Sequence, residues 1–339
     1  MKKAVRLSDI AKRLDVSTVT VSNALAGQKG VSEELREKIR STAAEMGYQT
    51  RQGPIILEKT NPVNIAVIIA DKYLGSYPSF YWKVYQEFAL AVKRKNCMLL
   101  YEVLKDEDEK NFVIPLSVKE KTAEGIVVIG EISSEYLKML IEVSQMPIVF
   151  VDFSKIDIRV DSVVSDNFYG MYLMTNYLIE HGHRDIAYVG TVLANNSIKD
   201  RYCGYYKALM ENHIPVREDW IIDDRAPLGK MEIDRLSLPE EMPTAFACNC
   251  DLVASELIKI LAQRGYRVPE DISVVGYDNY LYTGLCDIKI TTYEVNIEEM
   301  VKVSLEKILN RLKGRQPDSE TIRIVSGHMV VKESVKSVN

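Results

Sequence analysis

The sequence predicts an α/β protein: a small all-α helix-turn-helix domain, then a larger two-lobed body of doubly wound parallel sheets. Three observations carry this. Residues 7–46 hold three short helical patterns, strand-like and helix-like runs alternate from residue 63 onward, and the charge of the chain divides near the same place. Residues 1–51 hold ten Lys/Arg against six Asp/Glu, a balance of +4; the remainder holds 33 against 42, a balance of −9. A basic head on an acidic body is the asymmetry expected when only the head meets a polyanion.

In the head, the first helix is expected over residues 7–14, with Ser8 placed to cap it and Ile10, Ala11 and Leu14 on one face. Asp15, Val16 and Ser17 make a tight connection, and Ser17 caps a second helix from Thr18 to about Leu25. Ser32 caps a third, which carries Glu33 and Glu34 in its first turn and runs to Met46 before Gly47. Two short helices joined so tightly are the helix-turn-helix pattern, whose second helix enters the major groove. That helix, Thr18-Val19-Thr20-Val21-Ser22-Asn23, is rich in β-branched residues and poor in helix propensity. Small hydroxyl and amide side chains suit contacts to phosphates and base edges. The competing reading is a three-helix scaffold with a polar surface.

In the body, strands are expected at residues 64–70, 98–104, 125–129, 147–151, 162–165, 185–189, 220–222, 245–249 and 272–277. Amphipathic helices separate most of them; in residues 80–94, Val84, Phe88, Ala91 and Val92 share a face. Nine strands exceed one comfortable doubly wound sheet, so two sheets in two lobes are expected. The longest apolar runs, residues 65–70 and 126–129, are too short to span a bilayer, and no apolar stretch follows the charged N-terminus. A soluble, cytoplasmic protein without a membrane partner is expected. The five cysteines form no secreted disulfide framework, and Cys248-x-Cys250 lacks neighbours that would make a zinc site. No G-x-S-x-G, P-loop, G-x-G-x-x-G or H-E-x-x-H motif is present, so no enzyme, catalytic residue, cofactor or metal is expected.

The run from Leu7-Ser8-Asp9-Ile10-Ala11 through Val16-Ser17-Thr18-Val19-Thr20-Val21-Ser22-Asn23-Ala24-Leu25, with Val31-Ser32, Arg36 and Gly47-Tyr48, resembles the DNA-binding domain of the LacI/GalR family of bacterial repressors. The resemblance implies that Thr18, Val19 and Asn23 face base edges. It places Thr20 and Ser22 near phosphates, and Leu7 and Ser8 at the DNA backbone. It also implies a hinge at residues 51–62, with Leu57 as an apolar wedge in the minor groove. Here the sequence departs from the family: Gly53-Pro54 should break or delay a helix, leaving either a shortened turn that begins at Pro54 or a flexible tether.

The second half resembles the same family's periplasmic-binding-protein-like (type I) domain. The resemblance rests on Asp166-Asn167-Phe168-Tyr169-Gly170, on His181-Gly182-His183-Arg184-Asp185, on Arg201-Tyr202-Cys203-Gly204-Tyr205 and on residues 268–279. The implied domains are 1–50, the hinge 51–62 and an effector-binding and dimerisation domain 63–335. Its lobe one is expected at about 63–162 plus 292–321, and lobe two at about 163–291 plus 322–335. Open α/β sheets bind ligands beyond the carboxyl ends of their strands. Asp71, Asp152, Cys250 and Asp278 end strands, and the resemblance places Arg201 and Asp278 in the cleft. A guanidinium and a carboxylate together can grip adjacent hydroxyls. Phe80, Tyr81 and Trp220 are candidate flat faces for a ring. The competing readings are a structural Arg201–Asp278 ion pair and, for the aromatics, core packing. Cys250 stands where many relatives carry Asn, which weakens inference from well-known sugar repressors; the His181/His183 pair reads as structural.

These features imply a homodimeric, ligand-responsive repressor on a near-palindromic operator, controlling carbohydrate uptake or catabolism with a sugar effector. Alternatives are a purine or nucleoside effector, a phosphoprotein corepressor, or a solute receptor without a DNA role. No leucine heptad marks the C-terminal residues, so a dimer is expected rather than a coiled-coil tetramer.

Overall fold

The computed structural model of the protein describes residues 5–26, 28, 30–50, 53–54, 62–74, 79–226, 232, 235–282, 284–314 and 321–338. It divides into two compact units, Met1–Asn61 and Pro62–Asn339.

The first unit holds α1 (Leu7–Leu14), α2 (Thr18–Leu25) and α3 (Glu33–Glu45). Ser17 Oγ accepts from the Thr20 N–H (3.0 Å) and Ser32 Oγ from the Leu35 N–H (3.3 Å), so both expected caps form. The Ser8 cap does not. The Asp9 carboxylate accepts the Arg6 N–H at 2.8 Å, which makes Arg6 the cap, two residues earlier, and leaves Ser8 exposed in the first turn. Ile10, Ala11, Val21, Ala24, Ile39 and Ala43 close the core, one apolar face from each helix. After Gly47, β1 (Gln49–Thr50) pairs antiparallel with β2 (Gly53–Pro54). Pro54 therefore sits opposite Gln49 in a strand pair rather than opening a helical turn; proline's missing N–H is tolerated at a strand edge. Leu57 lies outside the described residues.

The second unit carries two six-stranded sheets. One contains β3 (Val63–Ala70), β4 (Cys97–Leu104), β5 (Gly125–Ile129), β6 (Ile148–Val151), β7 (Asp161–Ser165) and β13 (Ile322–Val325), all parallel, in the order β13-β7-β6-β5-β3-β4. Around it lie α4 (Phe80–Arg94), α5 (Asp106–Lys110), α6 (Leu116–Lys119), α7 (Ser134–Ser144) and α11 (Ile297–Leu312). The other sheet runs β14-β12-β11-β10-β8-β9. Its members are β8 (Ile186–Val189), β9 (Ile221–Ile222), β10 (Ala245–Cys248), β11 (Ser273–Asp278), β12 (Thr291–Glu294) and β14 (His328–Val330), with β14 antiparallel. Its helices are α8 (Asn167–Glu180), α9 (Asn196–Glu211) and α10 (Asp251–Gln263). The central strands are buried on both faces, which is why they read as unbroken apolar runs.

The chain crosses between lobes three times, but not where expected. Strand β12 stays in the second sheet, hydrogen-bonded to β11, so lobe one resumes only with α11, which packs on α4, β6 and β7. Strand β13 pairs with β7 in the first sheet, so residues 322–325 belong to lobe one and only β14 onward returns to lobe two. Strand pairing, which for β13 reaches back from Ile322 to Ser162, and not local pattern, sets these boundaries. Among the described residues, no helix is long and apolar enough to cross a membrane.

Candidate functional site

Two sites stand out, one in each unit. In the head, Thr18, Val19 and Ser22 are exposed on α2, and Asn23, half-buried, extends the same stripe at i, i+4 spacing from Val19. Val19 is 65% exposed, so its methyl groups stand on the open face of α2. Thr20 is occupied differently: its hydroxyl lies 2.8 Å from Ser17 Oγ at the helix start. Leu7 is half-buried against the head core, beside exposed Ser8. Sequence reasoning gave Arg36 no role, yet its guanidinium is buried and donates to the carbonyls of Ala24 (3.0 Å), Asn23 (3.4 Å) and Gln28 (2.7 Å). A cation at a helix C-terminus satisfies orphan carbonyls and the helix dipole together. Arg36 thus fixes the end of the exposed helix.

In the body, the carboxyl ends of both sheets converge on one polar cluster. Lobe one supplies a short turn, Asp71–Tyr73, after β3; Phe80 and Tyr81 at the start of α4; Glu131 after β5; and Asp152 after β6. Tyr81 donates its hydroxyl to Asp152 Oδ2 (2.8 Å), and its ring lies 4.5 Å from that of Tyr73 and 5.4 Å from that of Phe80. The Tyr73 ring fits only because residue 130 is glycine: a Cβ there would sit 2.5 Å from it. Asp152, at φ +68, is buried, and that burial, partly offset by Arg201, holds its carboxyl above the usual range.

Lobe two supplies α9, Asp224 and Arg225 after β9, Asn249 and Cys250 after β10, and Asp278 at the end of β11. Arg201 is buried, donates Nε to Asn167 Oδ1 (2.8 Å) and Nη1 to Asn249 O (2.7 Å), and stacks 4.0 Å from the Tyr277 ring centroid. No Arg201–Asp278 ion pair, the competing reading, forms among the described contacts. Asn167 and Asn249 take the guanidinium instead, and Asp278 acts on it only through space. Arg225 pairs with Asp224, which also accepts from Asn249 Nδ2 (3.0 Å) and the Thr191 N–H (2.8 Å). Cys250 is half-buried; burial, then the nearby Asp278 carboxylate, pushes its thiol up to about 12, so it enters the site as an uncharged group.

The lobes meet across this cluster. Glu131 Oε2 accepts the Asn196 N–H (3.0 Å) while Lys155 holds its other oxygen (2.6 Å). Asn196 Nδ2 reaches Ser154 O (3.0 Å) and Ser197 Oγ reaches Asp152 O (3.0 Å). Trp220 is elsewhere. It precedes β9 at the amino end of the sheet, buried, with its indole N–H on Glu241 O (3.0 Å) and Arg217 stacked over it at 4.2 Å. His183 is held by Thr244 Oγ1 and Ser273 Oγ (both 2.9 Å) and by Lys336 O, a structural tie within lobe two. Glu131, Asp224, Arg225 and Asn249 were missed by sequence reasoning, although each follows a strand end, the same signal that marked Asp152 and Asp278.

Comparison with known proteins places these two units. Residues 6–51 match the bacterial regulatory proteins of the lacI family, and residues 175–335 match the periplasmic binding protein-like domain. The chain is 28% identical over 322 residues to the HTH-type transcriptional repressor PurR of Pectobacterium carotovorum subsp. carotovorum (strain PC1), covering 94% of this chain and 93% of that protein. It is 29% identical, over the same length and shares, to PurR of Erwinia tasmaniensis. Its fold matches a CelR–cellobiose complex (TM-score 0.68, 21% identity, 97% of this chain and 99% of that one). It also matches the lac repressor dimer bound to operator and the anti-inducer ONPF (TM-score 0.66, 18% identity, 98% and 100%). A helix-turn-helix head ahead of a periplasmic-binding-protein-like body is the architecture of a DNA-binding transcriptional regulator. The chain belongs to the lacI family of these regulators.

Proposed function

We propose that the protein is a homodimeric repressor whose operator affinity is set by a small, uncharged, hydroxyl-rich effector, a sugar, held between its lobes. One observation carries the choice of ligand. Among the described residues of the cleft, Arg201 is held by Asn167 and Asn249, Arg225 by Asp224 and Lys155 by Glu131, while Lys72 lies over the Tyr73 ring. Buried Asp152 and Asp278 favour a donor of hydrogen bonds over a phosphate. In this reading Asp71, Asp152, Arg201, Cys250 and Asp278 contact the effector, and Phe80 and Tyr81 face its ring. In the head, Thr18, Val19 and Asn23 read base edges, and Ser8, Thr20 and Ser22 lie near phosphates. Ligand-dependent lobe closure alters operator affinity through a coupling of a few kcal/mol, on the order typical of allosteric pairs.

A second reading, a purine effector, is favoured by the PurR relatives and by the adjoining Tyr73, Tyr81 and Phe80 rings. Thermal shift of the protein and its Arg201→Ala variant against sugars, sugar phosphates and nucleobases separates the two, because a ligand that binds only the folded state raises Tm. A sugar hit lost in the variant supports the first reading, and a nucleobase hit replaces it with the second. A sugar phosphate hit, or a hit retained by the variant, refutes the cleft chemistry described here.

A further inference from the structure

We propose that lobe two carries a second small-molecule site, remote from the cleft, which binds an α-amino acid with an apolar side chain. A pocket of about 450 Å³ opens at the amino end of the second sheet, within the size range of small-ligand sites. The start of β8, the turn after α9 and the turn before β9 border it. Ile214, Pro215 and Trp220 make an apolar wall. That wall is fixed in place. The Trp220 indole N–H is bonded to Glu241 O (3.0 Å), and the Arg217 guanidinium stacked over the ring is itself held by Asp219 (2.6 Å) and Glu241 (2.7 Å). Arg217 therefore contributes its stack to the pocket but little free charge.

The charges left to act on a ligand are opposite in sign and adjacent in sequence. Arg184 is exposed, and its one described hydrogen bond, to Asn212 O, is at the outer limit (3.5 Å). Among the described residues, no hydrogen bond or ion pair engages the Asp185 carboxylate or the His213 imidazole, and none joins Arg184 to Asp185. The Asp185 backbone is held, because its carbonyl accepts the Thr244 and Ala245 N–H groups (2.9 and 3.1 Å). A purely anionic ligand meets Asp185, a purely cationic one meets Arg184, and a sugar leaves the apolar wall uncovered. A zwitterion with an apolar side chain suits all three: its carboxylate accepts from Arg184 and His213, its ammonium donates to Asp185, and its side chain covers the wall. The position gives the site a consequence. Helix α9 carries Asn196, Ser197 and Arg201 at the cleft and ends at this pocket, about 24 Å away over its 16 residues. Strand β9 leads from the pocket back to Asp224 and Arg225. An occupant braces the far ends of two elements that build the cleft without entering it.

Equilibrium dialysis of the full chain against labelled L-phenylalanine tests this without operator or cleft ligand, so it fails independently of the effector panel. One molecule should bind saturably to each chain. Arg184→Gln and Asp185→Asn, both at exposed side chains, should each weaken binding roughly tenfold or more, the loss expected for one charge-assisted hydrogen bond. Hydrocinnamate, which lacks the ammonium, and phenethylamine, which lacks the carboxylate, should compete less well by the same margin. Absence of saturable binding overturns the proposal, and so does full affinity retained in either variant. Hydrocinnamate or phenethylamine competing as well as L-phenylalanine overturns the assignment to a zwitterion.

Discussion

Replacing Arg36 with Met keeps the aliphatic stem and removes the guanidinium that closes the end of α2. Two of its hydrogen bonds are short, to Ala24 O (3.0 Å) and Gln28 O (2.7 Å); the third, to Asn23 O, is at the outer limit (3.4 Å). A charged donor lost from a buried carbonyl costs roughly 1.5–3 kcal/mol. Counting the two short bonds at the low end gives about 3 kcal/mol. The Glu33 contact at 3.6 Å adds nothing appreciable, because Glu33 is 86% exposed. A domain of about 50 ordered residues has on the order of 5 kcal/mol of stability, so more than half is lost, and the head's Tm should fall by roughly 12–24 °C. Hydrogen exchange followed by mass spectrometry on the full chain reads this directly. The peptide covering residues 18–28 should exchange about a hundredfold faster, while the body's exchange is unchanged. Unchanged protection of that peptide would refute the assignment of Arg36 as the clasp of the exposed helix, and Arg36→Lys should recover part of the loss.

Three further outcomes are expected. Asn23→Ala should weaken binding to the selected operator more than binding to scrambled DNA, a difference that competitive gel shifts measure; equal losses would remove Asn23 from base reading. Burial holds His183 below the ordinary imidazole range, so the folded state resists a proton that the unfolded chain accepts. Its contribution to stability is present above about pH 6.5 and fades as pH falls, so Tm should drop on acidification and do so less steeply in His183→Gln. Gly204→Ala places a methyl against the Phe168 carbonyl and 2.8 Å from the Tyr172 N atom, where α9 packs on α8. Overpacking of this kind costs about 1–3 kcal/mol, visible as a lower denaturation midpoint; an unchanged midpoint would mean that the helices move apart freely.

The head was legible because its signals are local. Ser17 and Ser32 cap where the sequence puts them, and the buried faces repeat at helical spacing. The same holds for β3, β5, β8, β10 and β11, whose burial on both sides leaves apolar runs. The strands that escaped notice lack that mark. β12 is Thr-Thr-Tyr-Glu, and β13 leaves Ile322 and Ile324 more than half exposed on a sheet edge. Whether such segments are strands depends on a distant partner, and periodicity contains no information about it. In the cleft, Asp152, Arg201 and Asp278 were found because strand ends and one helix start carried them there. Trp220 was misplaced because the indole precedes its strand, and position relative to the strand decides which end of the sheet a side chain reaches.

The last crossing between lobes is only two residues long, Ser326 and Gly327, between β13 in one sheet and β14 in the other. Each sheet therefore receives an edge strand from the same short stretch of chain. During synthesis, the three helices of the head can close as soon as they leave the ribosome, since every contact of their core is made within the first unit. The body cannot: α11 and β13 complete its first lobe only after nearly all of the second has been made. Shortening the chain before residue 322 would strip both sheets at once. The nascent protein thus has a folded head while its regulatory body is still waiting for its final strands, and that body is expected to become trypsin-resistant in one late step rather than lobe by lobe.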